Sequence, residues 1–226
     1  MIALDELRPS RSAWEMFAMG KGIRTAGLFL AFIALSIDPA LAHHVMGGHM
    51  PVTFADGLLS GLAHPIIGFD HFAAVVAVAC LASAHRAGSL LVVSFVVAMT
   101  VGVAIHVRGT TLPAAEIIVA LSVVLLGAAL LRNRTLHTGA ALALFIAVGL
   151  THGYALGESI YGSEPSPLAG YFIGLVAIQS AVALSVMFAA RAVLQRQSEI
   201  LTLRLIGAGI VGIGLTALIL QVVPAP

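Results

Sequence analysis

Charge is what this sequence has least of. Only 9% of its 226 residues are Asp, Glu, Lys or Arg, and 60% are hydrophobic; soluble domains carry about 25% charged residues. That shortage excludes a water-soluble globular domain and indicates a chain dissolved in a lipid bilayer. The formal net charge is +1 with no basic cluster, which leaves no surface for a nucleic-acid partner. The single cysteine, Cys80, cannot close an internal disulfide. It stands in an apolar run and reads as a small packed core residue. The chain also lacks a nucleotide-binding motif, an HExxH pair and a serine–histidine motif. It therefore hydrolyses no ATP by itself and offers no familiar hydrolytic signature.

Apolar segments fill the rest. The N-terminus has the layout of a secretory signal: Lys21 and Arg24, then "AGLFLAFIALS" from Ala26 to Ser36, then "ALA" at Ala40 to Ala42. Residues 1–42 thus read as a cleavable signal peptide, the alternative being a short first transmembrane helix. Met19 is a more economical start, which would leave the first 18 residues as upstream extension. Cleavage after Ala42 leaves a His- and Met-rich N-terminus over residues 43–57, beginning "HHVMGGHMP", outside the cytoplasm. Residues 58–226 then hold six segments near the roughly 20 apolar residues that cross a bilayer. They run from Leu58 or His64 to Ala84, Gly88 to Val107, Leu112 to Leu131, Thr138 to Gly157, Leu168 to Val193, and Leu203 to Val223.

The connections are short, so the expected fold is all-α: one polytopic membrane bundle of six transmembrane helices. Pro113 suits a helix start, Pro165 and Pro167 suit a loop, and Asp56, Arg108 and Glu164 read as loop charges. Arg86, Arg132, Arg134, Arg191, Arg196 and Arg204 fall on one side of the expected topology and only Arg108 on the other. Basic residues stay on the cytoplasmic side, so both mature termini are expected outside.

The ionisable residues within the segments all fall toward that outer side. His64, Asp70 and His71 lie in the outer half of the first segment, His106 at the end of the second, Glu116 one turn into the third, and His152 and Glu158 at the end of the fourth. His85 and His137 fall in the inner loops. Such groups usually face the bundle interior, pair together and mark ion routes. On one continuous helix His64 and His71 project from nearly one face, with Asp70 about 100° from His71. Pro65 and Gly68 loosen the backbone beside them. His152 and Glu158 converge if the helix end at Gly153 and Gly157 unwinds. His106 reads equally well as a packing residue, and Glu116 as an acid favoured by its helix N-terminus.

Imidazoles with one or two carboxylates suit divalent first-row metals such as nickel, cobalt and zinc. His43, His44 and His49 extend the donor set. A cleaved chain offers the His43 amine, the His44 amide nitrogen and the His44 imidazole as a chelate favouring nickel or copper. Met46, Met50 and Met99 keep copper open. Two other readings are a membrane-embedded zinc hydrolase and a metal-sensing or chaperoning partner of a larger complex.

The stretches "HHVMGGHMPVTFADGLLSGLAHPIIGFDHFAAVVAVA" and "GLTHGYALGES" resemble the HupE/UreJ proteins, the hydrogenase and urease accessory permeases. Their HPxxGxDH motif is matched at His64, Pro65, Gly68, Asp70 and His71, and the second stretch carries His152, Gly153, Gly157 and Glu158. The resemblance implies a non-enzymatic permease of the bacterial inner membrane, carrying nickel, or in some relatives cobalt, into the cytoplasm. It implies His64, Asp70 and His71 as transport residues, followed by His152 and Glu158. No prosthetic group is expected; the metal ion is cargo, and a cytoplasmic metallochaperone is compatible as its receiver. The sequence "FAAVVAVAC" after the motif departs from the family's usual pattern and leaves metal preference open.

Overall fold

The computed structural model describes residues 50–132, 135–194 and 200–223, which form helices with no strand among them. The signal peptide, the start at Met19, His43, His44, His49, Met46, Arg134 and Arg196 lie outside the described residues. The helices are α1 (Phe54–Ile67), α2 (Phe69–Ser83), α3 (Gly88–Val107), α4 (Ala115–Leu131), α5 (Thr138–Leu156), α6 (Pro165–Leu194) and α7 (Ile200–Val222), with a 3-10 turn (Gly157–Ile160) closing α5.

Four elements are each long and apolar enough to cross a membrane: α3, α5 with its 3-10 turn, α6 and α7. Helices α1 and α2 meet the requirement only together, and they are bent by 76°. At 17 residues, α4 is shorter. The first expected segment is therefore two helices rather than one. Pro65 has no N–H to continue the helical ladder, and Gly68 takes an extended ψ of 98°. The Gly68 N–H closes α1 on the His64 carbonyl, and the Gly68 carbonyl receives the Phe72 N–H to restart the helix.

The third segment begins at Ala115, three residues later than expected. Its preceding backbone is held elsewhere: the Tyr154 hydroxyl accepts from Leu112 N at 2.8 Å and donates to Thr110 O at 2.7 Å. Pro113 lies in a turn, and Ala114 adopts a left-handed φ of 56°. Two further expectations change. Pro165 and Pro167 sit in the first turn of α6, where a missing N–H leaves no helical bond unmade. Asp56 is not a loop charge: it forms a capping box with Thr53, each side chain accepting from the other's backbone N–H.

Glycines set how these helices meet. A Cβ on Gly149 or Gly153 of α5, or on Gly157 of its closing turn, would strike Phe95, Met99 or His106 of α3, so residue numbers rise together and the two helices run parallel. Gly57 and Gly61 of α1 likewise press on Pro167 and Tyr171 of α6. Gly127 meets Gly207 and Val211, whereas Gly214 meets Ala120 and Val124, so α4 and α7 run antiparallel. These directions are those of a chain passing alternately up and down. In lipid, helix association depends on such close packing, because apolar side chains gain little by leaving hydrocarbon. Phe95, Met99, Leu126, Phe145, Tyr171, Leu175 and Met187 fill the interior.

At one end Arg191 of α6 reaches the α2–α3 loop, donating from Nη2 to His85 O at 2.8 Å and from Nε to Ser83 O at 3.3 Å. It satisfies carbonyls that the end of α2 leaves open. His85 in that loop is half-buried, and burial pulls its imidazole below the ordinary histidine range. His137 caps α5 by accepting from Gly139 N–H.

Candidate metal-ion site

The 76° break places His71 in the first turn of α2, and the glycine row along α5 fixes the helix that carries His152. The two imidazoles meet in the interior, with His71 7% exposed and His152 wholly buried. Their Nδ1 atoms lie 2.9 Å apart, and the rings are nearly edge-on, with centroids 5.0 Å apart at 70°. The Nε2 atom of His152 lies 2.8 Å from Ser122 Oγ on α4, and that hydroxyl is also 2.7 Å from Val119 O. A chain of polar contacts thus joins α2, α5 and α4 where the surrounding helices are apolar. An unpaired buried polar group costs roughly 1–3 kcal/mol, so this arrangement answers the desolvation of both rings.

Asp70 is half-buried and its Oδ1 accepts from His71 N–H at 2.8 Å. Gly68 leaves room for them: a Cβ there would lie 3.0 Å from His71 Cδ2 and 3.5 Å from Asp70 Oδ1. The arrangement offers two facing nitrogen donors with a carboxylate beside them.

The other expected residues lie on other elements or other turns. Because the axis turns at Gly68, the seven-residue spacing no longer puts His64 on His71's face; His64 stays half-buried on α1. The end of α5 does tighten, into the 3-10 turn, but that turn carries Glu158 outward to an exposed position. His106 packs between Tyr154 and Tyr161, with ring centroids 4.5 and 5.6 Å away, and its buried Nδ1 has no hydrogen-bond partner among the described residues. Glu116 lies half-buried in the first turn of α4. Among the described residues, no group of three or more His, Cys, Asp or Glu side chains converges to hold an ion.

Sequence reading missed Ser122. A lone serine in an apolar helix ordinarily bonds back to its own turn, as Ser94 does to Leu91 O, so only the packing of α4 on α5 distinguishes it. It also missed Gln179 of α6, which is buried in a small pocket against Pro65, Ile66 and Phe72, its amide nitrogen without a hydrogen-bond partner among the described residues.

Apolar helices around a buried imidazole pair define a multi-pass membrane protein with a polar centre. The chain belongs to the HupE/UreJ protein family, which it matches over residues 16–217. It is 34% identical over 150 residues to Protein HupE of Rhizobium leguminosarum bv. viciae, covering 66% of this chain and 73% of that protein. No solved structure matches it significantly.

Proposed function

We propose that this protein carries a divalent transition-metal ion, nickel first and cobalt second, across the inner membrane into the cytoplasm. Membership of the HupE/UreJ family, associated with accessory nickel and cobalt transport for hydrogenase and urease, supports a transporter rather than an enzyme. The observation that carries the reading is the facing of His71 Nδ1 and His152 Nδ1 at 2.9 Å within the bundle. Two nitrogens each about 2.05 Å from an ion and at right angles to one another are themselves about 2.9 Å apart. The pair has the spacing of two adjacent ligands on an octahedral or square-planar ion, geometries that suit nickel.

In this reading the two rings turn so that both Nδ1 lone pairs point at a cation beside the line between them, each imidazole carrying its hydrogen on Nε2, and Asp70 supplies compensating negative charge. Water fills the remaining coordination positions, which keeps binding weak enough for release. His43, His44 and His49 capture the ion outside, His64 and Glu158 line its approach, and His106 stands at the same outer end. The topology assigned is six crossings, with the bent α1–α2 pair and the short α4 counted as one each, and both mature termini periplasmic. A cytoplasmic metallochaperone is the receiver compatible with this direction.

The test is nickel accumulation by cells at limiting metal. His71→Ala and Asp70→Asn should each abolish uptake while the amount of protein in the membrane stays unchanged. Undiminished uptake in both variants overturns the assignment.

A further inference from the structure

We infer that Ser122 is a positioning residue for this site: its hydroxyl holds His152 in the tautomer that turns a lone pair toward His71. The inference rests on the metal-transport reading for its consequence, but its structural premise stands on three contacts. Ser122 Oγ is 2.7 Å from Val119 O, a backbone acceptor with no hydrogen to give. Val119 O offers the hydroxyl proton an acceptor, and with the proton directed there the oxygen accepts from the other side. What faces it is His152 Nε2 at 2.8 Å, and in that arrangement Nε2 bears the hydrogen. A neutral imidazole has one N–H. The lone pair is then on Nδ1, which lies 2.9 Å from His71 Nδ1.

His152 is wholly buried, so bulk solvent does not reach Nε2 in place of the serine. Two hydroxyls of apolar α3 show the ordinary back bond: Ser94 bonds to Leu91 O and Thr100 to Val96 O. Ser122 alone among these three also reaches an imidazole. The contact brings α4, which contributes no metal donor of its own here, into control of the donor atom on α5. Ligand histidines commonly depend on such an outer partner for orientation and tautomer.

Removing the hydroxyl leaves the Nε2 hydrogen with no acceptor in apolar surroundings. The imidazole then gains by moving its hydrogen to Nδ1, with His71 passing its own from Nδ1 to Nε2, and this blocks the His152 nitrogen that faces His71. Ser122→Ala should fold, since alanine is the better helix former and the lost back bond is local. Ser122→Thr keeps the hydroxyl.

The experiment uses the purified full chain in detergent, with two readouts. In metal-free protein carrying 15N-labelled histidine, NMR should show His152 protonated at Nε2 in the wild type and Ser122→Thr, and protonated at Nδ1 in Ser122→Ala. In titrations with Ni2+ alone, Ser122→Ala should bind about 10- to 100-fold more weakly, the usual effect of losing an outer-shell partner. Ser122→Thr should restore binding. An Ala variant with unchanged tautomer and affinity overturns the inference, as does equal weakening by Ala and Thr with the tautomer unmoved. His71→Ala separates the two levels: if it binds Ni2+ like the wild type while Ser122→Ala still moves the His152 hydrogen, the transport reading fails and the positioning role stands.

Discussion

The stretches "HPIIGFDH" (64–71) and "THGYALGE" (151–158) each place an inner and an outer ionisable residue near glycine, yet they treat the backbone in opposite ways. In the first, Gly68 ends one helix and begins another, turning the axis by 76°. In the second, Gly153 stays helical and lets α5 press onto the backbone of Met99, so the helix continues to Leu156. The outcome for the side chains is the same. His71 and His152 reach each other, while Glu158 is exposed beyond the end of α5. One motif supplies its donor by interrupting a helix; the other does so by anchoring one.

That contrast can be broken at either glycine, with unequal results. Gly153→Ala should have the larger effect, because the added methyl would meet the Met99 carbonyl, and backbone cannot step aside as a side chain can. Overpacking of this kind costs roughly 1–3 kcal/mol, to be read as a lower melting temperature of the detergent-solubilised protein. A wild-type melting curve would show that α3 and α5 do not approach so closely. Gly68→Ala meets a side chain instead, His71 Cδ2 at 3.0 Å, and its φ of −71° is open to alanine. The fold should survive while the ring shifts off its preferred rotamer. That cost of about 0.5–1.5 kcal/mol corresponds to roughly two- to tenfold weaker Ni2+ binding. Equal affinity would detach the break from the geometry of the pair.

The smallest effect lies outside both motifs and marks their limit. Burial lowers the pKa of His85 in the folded protein, so the unfolded chain takes up its proton first as the pH falls. Stability from this group is present above the unfolded value of about 6.5 and declines as pH drops below it. His85→Gln should flatten that dependence slightly without touching metal binding, as thermal melts at about pH 5 and about pH 7.5 would show. An unchanged slope would assign the pH response elsewhere.

How far sequence reading reaches differs from residue to residue. Asp70, His71 and His152 stood out because ionisable groups in an apolar run demand a reason. The backbone around Pro65 and Gly68 was expected to loosen, and it does. The angle of the break was not readable, since neither residue dictates the direction in which the chain resumes. Helical spacing therefore does not carry from His64 to His71, because that rule holds along one straight helix and these residues lie on two. Unwinding at Gly157 was anticipated, but the 3-10 turn rotates Glu158 to the surface rather than toward His152. Ser122 gave no local signal at all, because its partner is 30 residues away on another helix.

Composition and apolar run length by themselves determined that this chain is a helical membrane protein, because a backbone in hydrocarbon must satisfy its own hydrogen bonds. The two motifs likewise determined which side chains needed an explanation. Only the tertiary structure decided which of them meet, which nitrogen faces which, and that α4 takes part. Those outcomes depend on bend direction and on the depth at which glycine lets one backbone settle against another, and neither quantity is written in any single segment.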